Sequence, residues 1–245
     1  RLAVPPGDLA DLDASRETVL IRITDAEGRV GVGECDAPAR AVRELVEMED
    51  LFADSRGIAG LLVGRDPFPL RALQAELVDA TLYHGRRGLG IHAISGVDIA
   101  LHDLVGKQLG RPVHELLGGA RHPAIRPYAT IWPGGVGDRT IGQVMDDIAG
   151  RMERALALGF RAVKMEVVFG DLVSDRELVR CIEEGRRLVG DDVALGLDFG
   201  YRFRHWRDAL AVLDRIEHVW PAFAEATLRH DDVAGHRKLA RAARV

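Results

Sequence analysis

RAVKMEVVFGDLVSDRELVRCIEEGRRLVGDDVALGLD, residues 161–198, is the stretch that decides the architecture. Residues 161–167 read as a strand in which Val163, Met165 and Val167 alternate with Lys164 and Glu166. Residues 175–189 read as a helix and residues 193–198 as a second strand. The same rhythm runs outward in both directions. A short strand at 126–131 precedes a helix at 142–158 closed by Gly159. Downstream come a helix at 206–216, a strand at 221–225 and a helix at 232–243. Strand and helix alternate at roughly 30 residues per pair, the βα repeat of a parallel sheet.

The first half of the chain has a different pattern. Residues 17–24 and 29–34 are the two strands of a hairpin around a turn at Asp25 to Gly28. Helices follow at 39–49, 70–80 and 90–109. In the last of these Ile94, Val97, Ile99 with Leu101, and Leu104 with Val105 recur at helical spacing. Gly110-Arg-Pro112 ends it, and 113–117 form one further turn. The sequence thus predicts an α/β protein with two domains: an α+β domain over 1–122 and a partial (β/α) barrel over 123–245.

A doubly wound nucleotide-binding fold would alternate in the same way, so the phosphate motifs matter. Gly31-Val-Gly33 has no third glycine opening a helix, and Gly106-Lys107 is followed by Gln108 rather than Ser or Thr. Neither a dinucleotide fingerprint nor a P-loop is present. The barrel is the better reading, although a full barrel takes roughly 250 residues and only four of eight βα units are visible. The expectation from this arithmetic is a chain truncated after the fourth barrel strand.

Composition sets broad limits. Of 245 residues, 47% are hydrophobic and 29% charged, with a formal net charge of −5, which suits a globular protein and argues against nucleic-acid or membrane-surface partners. No apolar run approaches the roughly 20 residues of a membrane span. Cys35 and Cys181 form no CxxC pair, so a disulfide framework or zinc site is not expected and a cytoplasmic location is.

The chemistry is expected at the C-terminal ends of the barrel strands. Side chains alternate along a strand, so Lys164 and Glu166 share one face, Ala194, Gly196 and Asp198 another such set, and Phe223 and Glu225 a third. The intervening apolar residues suit the sheet–helix interface, which turns the lysine and three carboxylates toward the barrel interior. Unpaired, each of those charges would cost several kcal/mol. A lone Asp at a strand end is more often a helix cap, yet matching parity on successive strands favours a site. Hard oxygen donors without His or Cys favour Mg²⁺ over Zn²⁺.

These residues resemble the mandelate racemase and muconate-lactonizing branch of the enolase superfamily. Gly31-Val-Gly-Glu34 is similar to the hairpin of its capping domain, and GIHAISGVDIALHDLVGKQLGRPVHELLGG (90–119) to the helix leading out of it. Gly159-Phe-Arg-Ala-Val-Lys164 resembles its lysine-bearing strand, Leu197-Asp198 and Phe223-Ala-Glu225 its first two metal-ligand strands, and Asp231-Asp-Val-Ala-Gly235 the segment that follows. The resemblance implies that Mg²⁺ binds a substrate carboxylate while a base removes the neighbouring α-proton, chemistry for which this superfamily is a standard example. Asp198 and Glu225 would be metal ligands and Lys164 and Glu166 the catalytic pair, with acid-sugar dehydration or racemisation the outcome.

The chain departs from that family at three points. Glu166 stands where a second lysine is usual, and a carboxylate beside Lys164 favours its charged form. Asp198 is followed by Phe-Gly-Tyr rather than Ala-Asn-Gly. The third ligand and the second base would lie beyond Val245. His84, Arg86, Arg87 and His230 are further substrate-binding candidates, a solvated loop being the plainer reading of the first three. The expected partners are a small carboxylate substrate and further copies of the chain in a homo-oligomer. The competing reading is a catalytically incomplete fragment or pseudoenzyme acting as a binding or assembly module, because half a barrel leaves two sheet edges to cover.

Overall fold

A computed structural model describes residues 18–85 and 87–245. The chain divides into two compact units, one ending at Pro123 and the other running from Ala124 to Val245.

In the first unit, β1 (Val19–Thr24) and β2 (Val30–Cys35) form an antiparallel hairpin with Ile21 opposite Gly33 and Thr24 opposite Val30. Asp25 closes its turn, accepting the backbone N–H of Glu27 and of Arg29. Helices α1 (Ala39–Glu47), α2 (Ile58–Leu62) and α3 (Leu70–Ala80) precede the long α4 (Leu89–Leu109) and the short α5 (Val113–Leu116). Val42, Ile58, Leu73, Leu77, Ile94, Val97 and Leu101 are its buried core.

The Gly31-x-Gly33 motif has a packing role here. A β-carbon on Gly31 would fall 2.1 Å from the Ala100 carbonyl oxygen, and one on Gly33 1.9 Å from that of Gly96. Only glycine lets β2 lie directly against α4. Asp103 then locks the contact, its Oδ2 accepting the Val32 N–H at 2.8 Å and the Lys107 ammonium at 2.6 Å.

In the second unit, β3 (Ala129–Ile131), β4 (Ala162–Glu166), β5 (Ala194–Asp198) and β6 (Phe223–Glu225) form one parallel sheet in chain order. They alternate with α6 (Ile141–Ala157), α7 (Asp175–Val189), α8 (Trp206–Arg215) and α9 (Val233–Ala242). Sequential strand order without reversal is that of a barrel rather than of a doubly wound sheet. Val163, Met165, Leu195 and Leu197 are buried with Ile148, Met152, Leu178, Ile182, Val212 and Leu213. The apolar parity read from the sequence therefore faces the helices.

Several boundaries are tighter than the sequence suggested. The strands expected at 126–131 and 221–225 begin at Ala129 and Phe223, and the first helix stops at Glu47 rather than 49. At the last strand pairing itself reaches one residue further back, the Ala222 N–H donating to the Leu195 carbonyl at 2.7 Å. The five-residue α2 is too short to leave a periodic signal and was not anticipated.

Candidate active site

Register places the candidate residues. Across the sheet, Glu166 pairs with Asp198 and Asp198 with Glu225, so three carboxylates stand in one row at the C-terminal ends of β4, β5 and β6. One step below, Thr130 pairs with Lys164, Lys164 with Gly196 and Gly196 with Phe223. With the odd-numbered residues of β4 and β5 packed against the helices, both rows project from the other face of the sheet.

Lys164 climbs from the lower row to the upper. Its ammonium donates to Glu225 Oε2 at 2.9 Å and to Asp198 Oδ2 at 3.4 Å. The lysine side chain is 11% exposed, Asp198 16% and Glu225 45%, so the cluster is open on the Glu225 side. Asp198 keeps its other oxygen for the backbone N–H of Gly200 at 3.0 Å. Burial disfavours the Lys164 ammonium, but the Glu225 and Asp198 carboxylates outweigh it and hold the pKa above the ordinary lysine value. The carboxylates that raise it most are on β6 and β5.

Aromatic rings form the base of the cluster. A β-carbon on Gly196 would come within 2.2 Å of Phe223 Cζ, so the Phe223 ring lies directly over that glycine. Tyr128 packs beside it, ring centroids 5.9 Å apart, and its face is 5.9 Å from Lys164 Nζ. The sequence reading put Phe223 inward but did not single out Tyr128, whose parity with Thr130 could have revealed it.

The loops above the row are firmly held. Pairing continues beyond the strands through Phe199 N–H to Glu225 O, Tyr201 N–H to Ala226 O and Phe203 N–H to Thr227 O. Tyr201 and Ala226 both adopt left-handed backbone, with φ of 63° and 50°. Such conformations in non-glycine residues are held by surrounding structure and cluster at functional sites. His230 stacks edge-on to Tyr201 and borders a cavity of about 300 Å³ with Arg202, Arg204 and Arg229.

His84 and Arg87 belong to the first unit, where His84 Nε2 lies 3.4 Å from Ser55 Oγ and Arg87 is exposed. Arg86 lies outside the described residues. Both cysteines are buried free thiols, and burial pushes Cys181 up, as expected of bystanders.

Asp198 and Glu225 suit a hard divalent cation. Both are carboxylates, they occupy adjacent register positions, and they already converge on one positive charge. Among the described residues no group of three His, Cys, Asp or Glu side chains is gathered for a metal. Glu166 and Glu225 stand two strands apart, roughly 10 Å at ordinary strand spacing. The two residues on β5 and β6 would thus be a partial ligand set.

The model of the mandelate racemase / muconate lactonizing enzyme N-terminal domain matches residues 12–118, and that of the enolase C-terminal domain-like family matches 147–245. The chain belongs to this branch of the enolase superfamily. It is 35% identical over 188 residues to D-galactarolactone cycloisomerase of Agrobacterium fabrum, covering 77% of this chain and 45% of that protein. It is 30% identical to D-gluconate dehydratase of Thermoproteus tenax, covering 90% of this chain and 43% of that one. A crystal structure of a racemase from Streptomyces coelicolor with bound magnesium superposes with a TM-score of 0.77 at 27% identity, over 92% of this chain and 58% of that one. This enolase-superfamily chain spans about half the length of the first curated relatives it matches. None of its described helices is long and apolar enough to cross a membrane.

Proposed function

We propose that this chain carries the capping domain and first catalytic strands of an enzyme that removes a proton α to the carboxylate of an acid sugar, with dehydration or racemisation as the outcome. The observation that carries this reading is the Lys164–Asp198–Glu225 cluster at successive strand ends in a family whose similar proteins include a dehydratase and a cycloisomerase. Asp198 and Glu225 would hold Mg²⁺, which when bound supplies positive charge to the substrate carboxylate and its developing negative charge. Lys164, charged and rooted on an aromatic base, would orient that carboxylate. Proton abstraction needs a positioned base as well. Glu166, on the same face and in the same row, is the candidate within this chain. The comparisons do not favour the alternative of a non-catalytic assembly module.

The test uses the intact gene product, Mg²⁺ calorimetry and a panel of acid-sugar substrates. Asp198→Asn should lose both measurable Mg²⁺ affinity and at least 10²-fold in turnover, an interaction of the size seen for single electrostatic groups. Unchanged affinity and turnover would remove Asp198 from the site.

A further inference from the structure

Asp198 Oδ2 and Glu225 Oε2 are the oxygens through which the two carboxylates converge, and both accept from Lys164. Two carboxylates at adjacent register on neighbouring strands repel each other, and Asp198 is largely withdrawn from water. Lys164 reaches them from a row lower, across Gly196, where no side chain stands in the way and the Phe223 ring lies flat instead. The lysine therefore occupies the same electrostatic position that a bridging cation would.

We infer that Lys164 competes with the divalent cation for Asp198 and Glu225, so that metal loading and release of the lysine are one event. This rests on the reading of Asp198 and Glu225 as metal ligands and adds to it a role for Lys164 that precedes any contact with substrate. An ammonium and a dication cannot both sit between these two oxygens, because the like charges would be within a few ångströms of each other. A metal held by these same two oxygens would displace the ammonium from its 2.9 Å and 3.4 Å bonds. The freed lysine would still have the Tyr128 ring, 5.9 Å from its ammonium in the paired position, beside it and could face an incoming carboxylate. Substrate orientation by Lys164 is thereby conditional on metal: without a dication the ammonium is held by its own protein's carboxylates.

The consequence is measurable without turnover. In the intact protein, Lys164→Met removes the competitor while leaving both carboxylates, and should bind Mg²⁺ at least tenfold more tightly than wild type by calorimetry. Its melting temperature in EDTA should fall below wild type, and its rise on adding Mg²⁺ should be larger. Lys164→Arg keeps a cation with a fork suited to two carboxylates, and should bind Mg²⁺ no more tightly than wild type. Equal or weaker Mg²⁺ binding by Lys164→Met overturns the competition while leaving the metal-ligand assignment intact, provided wild type binds Mg²⁺. Failure of both proteins to bind Mg²⁺ overturns both readings. If Lys164→Met does not fold with or without Mg²⁺, Lys164→Arg decides: tighter binding than wild type refutes the competition, and equal or weaker binding supports it.

Discussion

Lys164 Nζ lies 2.9 Å from Glu225 Oε2, although the two residues belong to strands separated by the whole of β5. The bond is possible because the intervening residue at the register of Lys164 is Gly196 and the one above it is Asp198, itself an acceptor. A single ammonium thus ties three successive strands together at their C-terminal ends.

Glu225→Gln should lower the Lys164 pKa. Glu225 contributes more than Asp198 to raising it, whereas burial acts in the opposite direction and would remain. The sign follows for stability as well. A lysine whose folded pKa is raised contributes fully below its unfolded value and loses that contribution as pH rises through the folded one. Wild type should therefore lose stability above the ordinary lysine range, and Glu225→Gln should show less of this alkaline loss. NMR of Nζ-labelled lysine gives the pKa directly, and no downward movement would exclude Glu225 as the cause.

Gly196→Ala should be destabilising by about 1–3 kcal/mol, the usual range for overpacking. Its methyl group would need the space of Phe223 Cζ, 2.2 Å away, and the ring is confined by Tyr128. Urea unfolding of Gly196→Ala against Gly196→Ala/Phe223→Leu checks it. The second change should recover part of the loss, and no recovery would show that the ring is not the obstacle.

Ser174→Ala should cost about 1 kcal/mol. Ser174 caps α7 by accepting the Glu177 N–H, and Glu177 returns the bond to the Ser174 backbone, holding its own carboxyl below the usual range. Helix α7 packs Leu178 and Ile182 into the core beneath β4 and β5. Its fraying would be felt as lowered global stability in chemical denaturation, with m unchanged.

Acid should reveal Asp25. Its carboxyl is lowered to about 2, chiefly by the Gln108 amide and then by bonds from Arg29 and Glu27. A depressed carboxylate contributes stability above its unfolded pKa, near 3.9, and loses it as pH falls toward about 2. Asp25→Asn should therefore melt below wild type at pH 5 and converge with it near pH 2. Parallel melting curves across that range would remove Asp25 from the acid response.

The local pattern of the chain determined which side chains face the helices, where the strands and major helices fall, and which four charged residues share the opposite face. Period-2 alternation over 162–166 and 194–198 is enough, because a strand offers only two directions to each side chain. Family membership was legible in the same way, through the Gly90 to Gly119 stretch and the strand-end residues. What alternation cannot express is register between strands, and register set the chemistry of this face. It put Lys164 level with Gly196 rather than Asp198, brought Phe223 over that glycine, and delivered the ammonium to Asp198 and Glu225 instead of to Glu166 two residues along its own strand. Which carboxylate pairs with which cation is a property of distances between strands, and only the folded sheet decides those.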